Sequence, residues 1–196
     1  MNNTPGKVKN MDSKRECLEK LSYLKQSFSF SLGAYALATK EPTARVIASH
    51  KIELAGDQIC ILEKNEKGPQ HWLKYSIEFS QSLTDGAAKT FVRQTFLMML
   101  LESFEVSKKY AQNNDLLSNF KSQDWYPFVR HLRNAIGHNG VWSIGKKVND
   151  LPTTFRNKTI DSNLDGQQLG DFIDWVFGLQ LHASIYNWVY LDGSNQ

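Results

Sequence analysis

Apolar residues recur at intervals of three and four along most of the chain, which is the spacing that places them on one face of a helix. A polar stretch over residues 1–10 is predicted to be a flexible tail. Helices are predicted over residues 12–38, 43–63, 70–83, 87–112, 116–120, 124–137 and 167–190. The helix over 87–112 has the broadest apolar face, so we expect it at the centre of a bundle.

The hydrophobic period changes after residue 140. Residues 141–148 (VWSIGKKV) and 153–160 (TTFRNKTI) are short, β-branched and aromatic, and Asn149-Asp150-Leu151-Pro152 joins them. This pattern predicts a small β-hairpin formed by the two stretches. The predicted fold is therefore all-α: one up-and-down helical bundle over residues 11–196, with a hairpin before the last helix.

Composition is typical of a globular protein that buries its own core, with 41% hydrophobic and 22% charged residues in a chain of 196. Cys17 and Cys60 lack the spacing of a zinc site or a disulfide framework, so reduced thiols are expected. The N-terminus has no apolar leader segment. The longest apolar run, Phe96–Leu101, is far shorter than the ~20 residues of a membrane span. We expect a soluble, cytoplasmic protein without membrane contact.

Charge is unevenly distributed, although the formal net charge is only +3. Residues 121–160 contain seven Lys or Arg and two acids, whereas residues 161–196 contain five Asp and no Lys or Arg. A local positive field favours a phosphate-bearing partner. Two alternatives stay open: a chance cluster on solvated loops, or neutralisation by the acidic C-terminal segment.

The most informative stretch is FVRHLRNAIGHNG, residues 128–140, on a short predicted helix and its end. Asn134 and His138 are four apart, so a helix places them side by side. Arg133 is rotated by ~100° from Asn134 but projects from the same turn. Gly137 allows the helix to end, so that His138 can turn toward Arg133. Three apolar residues at four-residue intervals anchor the opposite side: Phe128, Leu132 and Ile136.

These residue types are suited to RNA cleavage without a metal. The ribose 2′-OH must lose a proton to attack the neighbouring phosphate, and the 5′-oxygen must gain one as it leaves. An imidazole ordinarily titrates near neutral pH, so a histidine such as His138 can fill either role. The Arg133 guanidinium would stabilise the charged transition state, and Asn134 would orient its neighbours. One motif supplies only one histidine for the two proton transfers, so we expect a homodimer that brings two motifs together.

At these residues the chain resembles the HEPN family, because Arg133-Asn134, three residues and His138 match the RN-x3-H form of its Arg-x4–6-His motif. The resemblance covers roughly residues 70–190, and the stretch after the motif, with a Trp, a predicted hairpin and an Asp-Gly loop, looks like a subgroup from plasmids and mobile elements. It implies a metal-independent endoribonuclease, acting as a toxin or defence effector, whose sites lie at a dimer interface. It also implies an antitoxin or regulatory protein as a further partner. RNA contacts are expected from the neighbouring residues Arg130, His131, Asn139, Lys146 and Lys147.

Other interpretations stay open. Asn134 and His138 would serve equally well as helix caps in a non-catalytic RNA-binding or protein-binding module, since other members of the family are inactive or only bind RNA. His131 lies off the apolar stripe and is expected at the surface, and Arg130 would be a phosphate contact or a surface charge. No cofactor is expected, and the remaining histidines lack partners at metal-ligand spacing. Common nucleotide-binding and hydrolase motifs are absent from the sequence.

Overall fold

The computed structural model describes residues 11–55, 58–67, 75–84, 86–145 and 149–191. The chain divides into a larger unit, Met1–Gln26 with Phe96–Gln196, and a smaller unit, Ser27–Thr95. Most of the described residues are helical, as predicted, and the strands form small antiparallel sheets. A single HEPN-like domain over 11–196 and a flexible tail over 1–10 stay predictions.

Two long helices agree closely with the sequence pattern. Helix α1 spans Met11–Thr39 and helix α4 spans Ala87–Asn113. Their buried side chains follow helical spacing, as at Cys17, Leu21 and Phe28, or at Val92, Phe96, Met99 and Leu100. Burial of these stripes accounts for both helices, because most helical stability in proteins comes from packing an amphipathic face.

The larger unit packs its aromatic core around α4, α5 (Leu117–Lys121), α6 (Tyr126–Gly137) and α7 (Trp175–Tyr190). The Phe120 ring lies at the centre of this core, 5.7 Å from the Phe104 ring and 4.8 Å from the Trp188 ring. Helix α7 approaches α4 so closely that a Cβ atom on Gly178 would lie 2.2 Å from Phe96 Cζ. These contacts join α4, α5 and α7, and the Phe128 and Phe177 rings, 5.5 Å apart, join α6 to α7.

A β-hairpin lies between α6 and α7, as predicted. The two strands that pair in it are not the two stretches that were predicted to pair. Strand β4 (Thr153–Phe155) pairs with β5 (Lys158–Ile160), so both strands come from the second predicted stretch. The first stretch forms no strand in its described residues, 141–145, and contributes one isolated bridge between Val141 and Gln168. Closing a short loop costs less chain entropy than pairing two stretches across residues 149–152.

Helix α7 begins at Trp175, eight residues later than predicted. The Asp174 carboxylate accepts a hydrogen bond from the Phe177 N–H at 2.8 Å and so caps the helix. Gly170 has a φ of +45°, which interrupts the helical path before this cap. Leu169 and Ile173 are nevertheless buried, so the apolar pattern over 167–174 reflects a packed irregular segment.

The smaller unit contains the largest error of the sequence analysis. In place of one helix over 43–63 the chain forms α2 (Thr43–Ala48), then β1 (His50–Ala55) and β2 (Gln58–Glu63). In place of a helix over 70–83 it forms β3 (Tyr75–Ile77) and α3 (Phe79–Thr84), and residues 68–74 lie outside the described part. The three strands form an antiparallel sheet in the order β2-β1-β3.

The alternation of apolar residues along the chain explains why these segments form strands. Register places Ile52 opposite Ile61 on one side and opposite Ile77 on the other, and it places Leu54 opposite Ile59. These residues therefore share one sheet face, while Glu53 and Leu62 lie on the other face and are buried. β-branched residues with a period of two favour strands over helices, and this signal outweighs the partial helical match.

No helix among the described residues combines the length and the apolar character that a membrane crossing requires.

A buried polar pair joins α4 to α7 in the larger unit. Ser103 and His182 are 0% and 2% exposed, and Ser103 Oγ lies 2.9 Å from His182 Nδ1. Because the serine hydroxyl donates to the Met99 carbonyl at 2.5 Å, the imidazole Nδ1–H donates to the serine oxygen. Burial, with a smaller contribution from the Lys25 cation, lowers the pKa of His182 from 6.5 to about 4.

The His182 pair predicts acid lability. The unfolded chain takes up this proton near pH 6.5 and the folded chain only near pH 4, so stability is lost as the pH falls through that window. The free energy of unfolding at pH 4.5 should fall by roughly 2 to 3 kcal/mol more in the wild type than in His182→Gln, relative to pH 7.5. Urea unfolding across this range measures the difference. An equal fall in the free energy of unfolding of the two proteins over this pH range would contradict the lowered pKa of His182.

Candidate functional site

Helix α6 presents two opposite faces. The inward face carries fully buried side chains at Phe128, Leu132 and Ala135, whereas Ile136 is half-buried. Pro127 lies in the first turn, where its missing N–H costs no helical hydrogen bond. The N-cap is Trp125, without a side-chain hydrogen bond. The outward strip of α6, which we define as Arg130, Arg133, Asn134 and His138, is half-buried to exposed.

The backbone conformation at the end of α6 explains which residues occur there. The His138 N–H still donates to the Asn134 carbonyl at 2.9 Å, so His138 is the C-cap residue and its backbone follows the helix. Asn139 has a φ of +57° and Gly140 a φ of +76°. The Gly140 N–H donates to the Ala135 carbonyl at 2.9 Å, which closes a Schellman-type helix end. Asn139 is therefore needed by the backbone, whatever else its side chain does.

Arg133 is held by neighbours on two helices. Its Nε–H donates to Glu105 Oε1 on α4, and its Nη1 donates to Asn134 Oδ1 at 3.4 Å. The Arg133 and Glu105 side chains are 38% and 34% exposed, so solvent reaches both. The guanidinium is thus fixed without being buried.

The described residues show no contact between the His138 side chain and Arg133, so the expected turn of the imidazole toward the guanidinium is not observed. His138 follows Arg133 by five positions, and an ideal helix places side chains at that spacing roughly 140° apart around its axis. Asn134 lies between them, roughly 40° from His138. The His138 ring is exposed and has no hydrogen-bond or ion-pair partner among the described residues. Arg133 and Asn134 are therefore brought together, whereas His138 stands apart at the helix end.

A second cluster lies one turn earlier on α6. Arg130 Nη2 donates to both carboxylate oxygens of Asp150, at 2.8 and 2.7 Å. His131 Nε2 lies 3.1 Å from Asp150 Oδ1. This cluster ties the segment before the hairpin to the middle of α6.

The surface position expected for His131 is wrong. Its side chain is 3% exposed, because the Asp150 carboxylate meets the imidazole where a helical wheel alone would place solvent. His131 Nδ1 is buried without a hydrogen-bond partner in the described chain, so the ring proton is better placed on Nε2, where Asp150 accepts it. A ring in this position cannot contact RNA without rearrangement.

The outward strip is close to neutral in charge. Each of its two arginines faces a carboxylate, Glu105 for Arg133 and Asp150 for Arg130. The positive field expected from residues 121–160 is therefore partly cancelled at the motif itself. Lys146 and Lys147, two of the expected RNA contacts, lie outside the described residues.

Sequence reasoning missed Glu105 and Asp150. They lie 28 and 20 residues away from the arginines that they contact, and no local spacing relates them. The only signal was compositional: Asp150 is one of two acids in an otherwise basic segment. Nothing in the pattern of α4 distinguishes Glu105 from Glu102.

Among the described residues no three His, Cys, Asp or Glu side chains gather where they could hold a metal ion. The arrangement offers instead a fixed guanidinium with donors to spare, an amide beside it and a solvated imidazole. Such groups can bind a phosphate, stabilise added negative charge and transfer a proton. Comparison with protein-family models, with curated proteins and with solved structures found no match for this chain.

The Arg130–His131–Asp150 cluster predicts a specific cost for losing its carboxylate. Asp150→Ala removes the carboxylate that both the buried His131 imidazole and the Arg130 guanidinium contact, so the free energy of unfolding should fall by about 1 to 3 kcal/mol. Asp171→Ala is the matched control, because Asp171 is exposed and a surface change of this kind stays within about 0.5 kcal/mol. Denaturant unfolding of both variants makes the comparison, and equal losses would refute the structural role.

Proposed function

We propose that this chain is a metal-independent endoribonuclease of the HEPN type. The observation that carries the proposal is the outward strip of α6. It combines a guanidinium fixed beside an amide with an exposed imidazole at the helix end that no described residue contacts by a hydrogen bond or ion pair. The residue order Arg133-Asn134-x3-His138 is that of the family motif.

The fold is compatible with this proposal. A long helix, α4, packs in the same unit as the motif helix, a hairpin follows the motif, and α7 completes the unit. We therefore propose that the helices form a HEPN-like bundle. The sheet formed by β1, β2 and β3 is an addition that the motif does not require.

In the proposed reaction Arg133 binds the scissile phosphate and stabilises the charge that the phosphorane gains. His138 transfers a proton, either from the attacking 2′-OH or to the leaving 5′-oxygen. Asn134 contacts Arg133 directly and contributes to its orientation. Attack by the 2′-oxygen expels the 5′-oxygen, which leaves a 2′,3′-cyclic phosphate and a 5′-hydroxyl.

A homodimer is part of the proposal. Within one chain, Arg133 and His138 diverge by roughly 140° around α6. A second copy facing the outward strip would place its own His138 near Arg133 and supply the second proton-transfer group. We also propose RNA as the substrate, a toxin or defence role, and restraint by an antitoxin or regulatory protein.

The alternative is a non-catalytic helical module that binds RNA or protein. Two observations favour it: both arginines of the strip are already paired with carboxylates, and Asn139 is explained by the helix end. Such a module would shift RNA in a gel, or retain a partner, without cutting it.

Substitutions at the motif separate the two functions. We expect His138→Ala and Arg133→Ala each to lower RNA cleavage in EDTA by at least ~100-fold, because each removes a group that acts in the transition state. Arg133→Lys should also lower RNA cleavage, since an ammonium group lacks the planar fork of donors that a guanidinium has. Expression of the wild type, but not of Arg133→Ala, should arrest growth.

The control for these variants is Arg15→Ala, which removes an exposed arginine from α1. Its cleavage rate should match that of the wild type, and all variants should unfold at similar urea concentrations. Cleavage by purified His138→Ala at the wild-type rate would show that the catalytic assignment is wrong.

A further inference from the structure

Glu105 contacts Arg133 from a fixed position. It follows Phe104, whose side chain is 2% exposed, and it comes two residues before the fully buried Ser107. Arg133 follows Leu132, which is 1% exposed on α6. Both partners of the ion pair therefore project from helix segments that are anchored by buried neighbours, which restricts where the guanidinium can lie.

The contact leaves one edge of the guanidinium available. An arginine side chain has five N–H groups. Glu105 accepts from the one on Nε and Asn134 from one on Nη1, so within the described part of the chain three have no acceptor, one on Nη1 and two on Nη2. The end-on edge formed by Nη1 and Nη2 is one of the two edges that can bind two phosphate oxygens side by side, and Glu105 occupies the Nε–H of the other.

We propose that Glu105 is a positioning residue of the ribonuclease site, which fixes Arg133 so that its end-on edge meets the scissile phosphate. This inference rests on the proposed function. Glu105 acts through Arg133 and transfers no proton itself.

A contribution to folding stability does not explain the Arg133–Glu105 ion pair. An ion pair whose side chains are both about one-third exposed contributes little to folding. A carboxylate beside a phosphate site also repels the substrate and weakens its binding. The pair is therefore expected to raise kcat while it weakens RNA binding. These two opposite effects can be measured separately.

The test compares Glu105→Gln with Glu105→Ala, using a short RNA in EDTA and measuring kcat and KM separately. Glutamine keeps an oxygen that accepts from Arg133 Nε, so kcat should stay within about 3-fold of the wild type while KM falls. Alanine frees the guanidinium, so kcat should drop by roughly 10- to 100-fold while KM also falls. Glu102→Gln and Glu102→Ala are matched controls one turn earlier on α4, and neither should change kcat.

Each outcome is decisive. An unchanged kcat in Glu105→Ala overturns the positioning role, while the proposed function survives. A loss in Glu105→Gln as large as in Glu105→Ala also overturns it, since this would assign proton transfer to the carboxylate. If Glu105→Ala does not fold, Glu105→Met replaces it and keeps the side-chain length. Absence of cleavage by the wild type overturns the inference together with the proposed function.

Discussion

Burial of one face of α6 is the constraint on which the candidate site depends. Phe128, Leu132 and Ala135 enter the core completely, so the rotation of the helix about its axis is fixed and the outward strip has one orientation. Deleting a side chain such as Leu132 would cost about 2 to 5 kcal/mol. Packing therefore fixes the geometry of the site more strongly than any hydrogen bond within it.

Charge pairing then sets the character of that surface. Two arginines separated by one turn would repel each other and attract any phosphate, but Glu105 and Asp150 hold them apart and nearly neutral. A neutralised strip suits a site that must recognise charge as it develops in a transition state. Strong binding of every RNA would call for unpaired cations.

Prediction of the fold from sequence was accurate where a hydrophobic period continued over many turns. Helices α1, α4 and α6 were predicted nearly to the residue because each buries a regular stripe. It failed where short apolar runs fit two periods: Ile52, Leu54, Ile59 and Ile61 were assigned to a helix, although their alternation and β-branching favour strands. The motif itself was read from local spacing. Its carboxylate partners were not, because contacts between residues 20 and 28 positions apart are set by tertiary packing.

The most direct test of the account is the chemistry of the cut ends. An RNA with a single 2′-deoxynucleotide at the cleavage position should resist the protein in EDTA. The all-ribose RNA should be cut there to leave a 2′,3′-cyclic phosphate and a 5′-hydroxyl, because the neighbouring 2′-oxygen is the nucleophile. Cleavage of the substituted RNA at the same rate, or ends that carry a 5′-phosphate, would contradict the proposed mechanism.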